Sequence, residues 1–122
     1  MRAMSPQSVF CKRLREAREA AGLSQKNLGI AAGIDRFVAS TRVNRYEKGA
    51  HEPDSGTAGR LAAVLNVPLA YFYAEDDLLA RAIVAFAGAS KLQQKKWAEA
   101  ILAARPQAKA ARTRTRKSPS RT

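Results

Sequence analysis

One cysteine and one histidine are all that 122 residues offer of the side chains that most often bind metals or attack substrates. Cys11 alone excludes an intrachain disulfide and a cysteine-based zinc site, and it fits a reducing cytoplasm. One helical turn from Leu14, it reads as a small, partly buried hydrophobe rather than a redox sensor. His51 sits beside Glu52 in a turn-like stretch. It lacks the paired carboxylates, nucleophile partner or ligand cluster that hydrolysis or metal binding requires. A glycine-rich phosphate loop is missing too, so no enzymatic activity, metal or cofactor is expected. The opening MRAMSPQSVFCKR lacks the apolar centre of a secretion signal. No run approaches the ~18 apolar residues of a membrane span, so a soluble, cytoplasmic chain without a membrane partner is expected.

Acids are also scarce: ten Asp and Glu face 22 Lys and Arg, a formal charge of +12. Location matters more than size. Residues 105–122 hold Arg105, Lys109, Arg112, Arg114, Arg116, Lys117 and Arg121 without an acid, which leaves only +5 on residues 1–104. This basic tail has too few large apolar residues to offset the entropy of ordering it, and disorder is expected there. Elsewhere aromatics are few, 7% against 46% hydrophobic residues. Alanine is abundant and turn residues cluster between periodic stretches, which favours an all-α bundle.

The stretch from Gly22 to Gly49 organises the chain. Ser24 is placed to cap a helix, although Asn27 stands where a full capping box would have Glu or Gln. Leu28, Ala31 and Ala32 follow at helical spacing, Gly29 and Ala32 are small enough for a second helix to approach, and Gly33 ends the run. A second helix closes at Gly49. It is anchored by Val43 and Tyr46 on one inward face, leaving Thr41, Asn44, Arg45 and Lys48 outward or sideways.

With LREAREAAGLSQ before it, STRVNRYEKG at its end, and a proline and LAAVLNV beyond, this stretch resembles the phage-repressor and Cro (XRE) type of helix-turn-helix domain, over roughly residues 8–73. The resemblance implies a lambda-repressor-like domain of five helices that binds double-stranded DNA in the major groove. It implies a phosphate contact from Gln25 and base contacts from Ser40, Thr41 and Arg45. Arg45 has the most discriminating power, since a guanidinium can bond O6 and N7 of one guanine together, and Asn44 could read adenine in the same way. Arg36, Arg42 and Lys48 suit phosphates by charge and position. The resemblance also implies an ion pair between Arg18 and Glu47. Glu52 and Asp54 depart from it, placing acids in a loop where the family often carries phosphate-binding cations. A second departure is the fifteen residues between Gly33 and Gly49, a few more than this family places there. Either Asp35 caps an early start of the recognition helix, or a short extra turn precedes a start near Ser40, the alternative favoured here.

Around this pair, Ser5-Pro6 starts a first helix that runs to about Ala21, with Phe10, Leu14, Ala17 and Ala21 on one face. Asp54 caps a fourth helix weakened by Gly56 and Gly59, and Asn66 supplies its left-handed exit. Pro68, Leu69, Tyr71 and Phe72 make a short fifth helix. Residues 75–104 read as two amphipathic helices broken at Gly88, bearing Leu79, Ile83 and Phe86, then Leu92, Trp97, Ile101 and Leu102. Self-association and packing back on the domain are equally good uses for them. The division expected is therefore a helix-turn-helix domain over 1–74, a helical extension over 75–104 and a basic tail over 105–122. The function expected is sequence-specific transcriptional regulation, most naturally repression, by a homodimer. The alternative is a protein-interaction module, such as the antitoxin of a toxin–antitoxin pair.

Overall fold

The computed structural model describes residues 5–104, and its first, second and fourth helices begin where the sequence offers a cap. Ser5 is extended, its hydroxyl accepts from the Ser8 amide at 3.1 Å, and Pro6 fills the first helical position. Helix α1 (Pro6–Ala20) then buries Val9, Phe10, Arg13, Leu14 and Ala17. Ala21, expected on that apolar face, is instead the exposed residue that closes the helix.

Ser24 caps α2 (Gln25–Ala31) by accepting from the Asn27 amide at 2.9 Å. Leu28 and Ala32 are buried, whereas Ala31 faces solvent. Gly29 sets how closely the next helix can come. A Cβ there would lie 2.8 Å from Ala39 Cβ and 3.1 Å from Ala39 Cα. Its absence lets α2 and α3 (Ala39–Lys48) meet backbone to backbone. Asp54 caps α4 (Ser55–Leu65) through the Thr57 amide at 2.7 Å. Asn66 closes it at φ 58°, the one non-glycine residue with positive φ among those described.

Leu69–Tyr73, expected as a fifth helix, is a 3-10 helix. Phe72 is wholly buried, its ring 4.8 Å from that of Phe10, while Tyr73 is half exposed, so the aromatic trio is one core residue with two flanking rings. Leu14, Leu28, Val43, Leu61 and Phe72 come from five different elements and are the largest fully buried side chains. Each contributes about 1.5–3 kcal/mol by leaving water. Every helix in the bundle therefore depends on its neighbours for a place to hide its apolar face.

All regular structure among the described residues is helical, and the architecture is that of a lambda-repressor-like domain. The chain divides into two compact units at Gly88–Ala89. Helix α5 (Asp77–Gly88) belongs to the first, where Ala80 is buried. Helix α6 (Lys91–Ala104) lies in the second and has no buried residue. The tail expected to be disordered, 105–122, lies outside the described residues.

Candidate nucleic-acid interface

The lengthened connection after Gly33 forms an extra turn. The Asp35 carboxylate accepts from the Phe37 amide at 2.8 Å, and the Asp35 carbonyl accepts from the Val38 amide at 3.0 Å. Helix α3 then starts at Ala39, one residue before the start expected near Ser40, and Val38 offers it no side-chain cap. Asp35 thus builds the turn and does not cap the helix. Arg36 lies in this turn with its guanidinium carbon 5.9 Å from the centroid of the Phe37 ring.

Within α3, Ala39, Val43 and Tyr46 are buried, which fixes the helix by rotation. At 3.6 residues per turn the opposite stripe consists of Thr41, Asn44, Arg45 and Lys48, with Ser40 and Arg42 at its two edges. All six lie outside the core: Asn44 is half-buried and the other five are exposed. The helix ends on Gly49 at φ 77°, a conformation open to glycine without steric cost, and the Gln7 side-chain amide donates to the Gly49 carbonyl.

Behind the stripe, Arg18 from α1 meets Glu47 from α3. Nε donates to Oε2 at 2.5 Å and Nη2 to Oε1 at 3.1 Å, while Nη1 donates to the Leu23 carbonyl at 2.9 Å. Only 3% of the Glu47 side chain is exposed. That hydrogen bond raises the already high Arg18 pKa further, so its charge is permanent. Gln25 joins the pair: its amide nitrogen donates to Glu47 Oε1 at 3.1 Å. The first residue of α2 is thereby tied to the last turn of α3.

Three further residues, absent from the sequence expectations, hold the site. Arg13 is 3% exposed and donates to the carbonyls of Ala74 at 2.9 Å and Glu75 at 3.1 Å. It also meets Asp77 at 3.0 Å, linking α1 to the start of α5. Its signal was its place between Phe10 and Leu14 on the apolar stripe. Arg60 of α4 donates to the Ala32 carbonyl at 2.9 Å and closes the end of α2. Gln7 caps α3 as described, and nothing in its local sequence announces that role. Asp54 stays ionised below the usual carboxylate range, first through its bond from the Thr57 amide, with Arg60 and Arg42 adding attraction. His51 and Glu52 are exposed in the turn after Gly49. Cys11 is half-buried, and burial pushes its thiol pKa up, which keeps it protonated and a poor nucleophile. No group of three His, Cys, Asp or Glu among the described residues could hold a metal ion, and no described helix is long and apolar enough to cross a membrane.

Two short helices at a fixed angle, the second locked from behind and presenting a polar, cationic stripe, define a helix-turn-helix DNA-binding protein. Comparison with known proteins agrees. The helix-turn-helix family profile matches residues 14–72. No curated protein matches the sequence. The crystal structure of the transcriptional regulator BswR is 42% identical, with a TM-score of 0.70 over 75% of this chain and 90% of that one. The chain belongs to the XRE-type helix-turn-helix family.

Proposed function

We propose that this protein, a DNA-binding transcriptional regulator, acts as a sequence-specific repressor on double-stranded DNA by placing α3 in the major groove. The observation that carries the reading is the rotation of α3. Val43 and Tyr46 are buried and Glu47 is clamped by Arg18, which leaves Thr41, Asn44 and Arg45 on the outward stripe. Arg45 and Asn44 have the bidentate chemistry for guanine and adenine edges, and Ser40 and Thr41 flank them in the first turn. Lys48, Arg42, Arg36 and the remaining proton of Gln25 are assigned to phosphates, which fix orientation. Repression needs only that the bound protein occupy a duplex.

The protein acts as a homodimer in this reading, on half-sites about 34 Å apart, one turn of duplex. A single recognition helix contacts too few bases for high selectivity. The exposed Leu78 and Leu79 of α5, and Leu92, Ile101 and Leu102 of α6, supply apolar surface for self-association. Selection of duplexes from a random pool tests both parts. A two-fold symmetric motif with half-sites one turn apart is the expected product, and retention of unrelated duplexes with equal affinity would remove the claim of sequence reading. Light scattering that showed a monomer both free and on the selected duplex would remove the dimer.

A further inference from the structure

We propose that Phe37 is a base-reading residue that packs on the 5-methyl group of a thymine in the major groove. The proposal rests on the DNA-binding reading above and extends it to a residue outside the α3 stripe. A lone exposed apolar side chain is ordinary on a protein surface. Phe37 differs in place and in how it is held. It is 87% exposed, the most exposed large hydrophobic residue described, and stands two positions ahead of the first residue of α3. The N-terminal end of a recognition helix is the part that approaches base edges. The turn that carries Phe37 is fixed, since Asp35 bonds both the Phe37 and the Val38 amides. The ring is thus presented without the entropic cost of ordering a free loop.

Its neighbours favour DNA over an apolar partner. Arg36 lies against the ring, and Arg42 follows one turn into α3. An aromatic side chain with a cation against it matches a surface that alternates phosphates with apolar patches. In the major groove the apolar patch is the thymine methyl, which distinguishes a T·A pair from C·G by contact alone. Arg36 then steadies the ring from one side while reaching toward the adjoining phosphate.

Replacing thymine by deoxyuridine removes that methyl and nothing else. The full chain would first be used to select its preferred duplex, and each thymine would then be replaced singly by deoxyuridine. Affinities of the wild-type protein and of Phe37→Ala would be measured on every duplex. The wild type should lose about fourfold at one thymine, the worth of one buried methyl. Phe37→Ala should bind the thymine and deoxyuridine forms of that position equally, with unchanged thermal stability, because 87% of the residue is already exposed to solvent. A wild type indifferent to every replacement overturns the proposal, as does a Phe37→Ala protein that keeps the wild-type pattern. A uniform loss on all duplexes with the pattern intact also overturns it, assigning Phe37 to the backbone. Failure to enrich any duplex strikes the DNA-reading function itself and is seen before the Phe37 measurement begins.

Discussion

Arg18 and Glu47, 29 residues apart, grip one another through two hydrogen bonds, at 2.5 and 3.1 Å, and so lock the recognition helix to α1. The Glu47 side chain is nearly inaccessible, so deleting its partner strands a carboxylate away from water. Arg18→Met should therefore cost about 3 kcal/mol in denaturant unfolding. The double variant Arg18→Met with Glu47→Leu should cost clearly less than the two single variants summed, because neither charge is then left alone. Additive losses would show that the pair contributes nothing as a pair.

The contact between α2 and α3 gives a second expectation. Alanine is favoured over glycine in a helix by about 1 kcal/mol, yet Gly29→Ala should destabilise. The added Cβ meets Ala39 Cβ at 2.8 Å and the backbone of Ala39 at 3.1 Å, and backbone cannot swing aside. A net loss of about 1–2 kcal/mol is expected from overpacking. At Gly59 an added Cβ has open space, so Gly59→Ala should gain up to about 1 kcal/mol. Urea midpoints of the two variants should move in opposite directions.

These two cases show what was readable in the sequence. Ser5, Ser24 and Asp54 are caps whose partners lie three residues away, so local spacing carried them. Val43 and Tyr46 were readable as the inward face of α3 for the same reason. Arg18 and Glu47 were visible only through family resemblance, since nothing local joins residues 29 apart. Arg13 was hidden more deeply. A charge on an apolar stripe looks like a solvated edge until the carbonyls of Ala74 and Glu75, more than sixty residues on, are brought to it. The extra turn is one of two alternatives that the sequence leaves open. That it holds Phe37 almost fully in solvent is not legible there, because exposure is a property of the assembled surface.

Base reading separates Arg45 from Gln25. Arg45 is exposed on the outward stripe, whereas the Gln25 amide is already bonded to Glu47. Arg45→Ala should weaken binding to the selected duplex by about 1–3 kcal/mol and relax preference at one base pair. Gln25→Ala should weaken all duplexes to a similar degree and leave the motif intact. An unchanged motif and affinity for Arg45→Ala would mean that α3 presents another face.

Acid should loosen the start of α5 through Asp77. Its carboxyl is held below the usual 3.8, first by the bond from Arg13, at 3.0 Å, and then by Lys12, at 3.3 Å. A carboxyl with a depressed folded-state pKa contributes stability above its unfolded value and loses that contribution as pH falls through the folded one. The stability difference between wild type and Asp77→Asn should thus be constant above about pH 5 and shrink below about pH 4. Because Asp77 is largely exposed, added salt should shrink the difference at neutral pH as well. Unfolding curves across pH and ionic strength check both. A difference that grew on acidification would contradict the assigned partners.

The last prediction follows from where the charge lies along the chain. Residues 105–122 contribute seven positive charges and no negative one, more than half of the net +12. Cations that approach a duplex release condensed counterions, a term that is indifferent to base sequence and steeply dependent on salt. Base discrimination is assigned to α3 and Phe37 in the folded domain. Removing residues 105–122 should therefore leave the selected motif and the thermal stability unchanged while flattening the plot of log affinity against log salt. The slope should fall by about 0.9 for each cation that engages a phosphate. An unchanged slope would mean that these charges serve only solubility. A lost motif would move part of the reading surface into residues 105–122, and the assignment of specificity to the folded domain alone would be wrong.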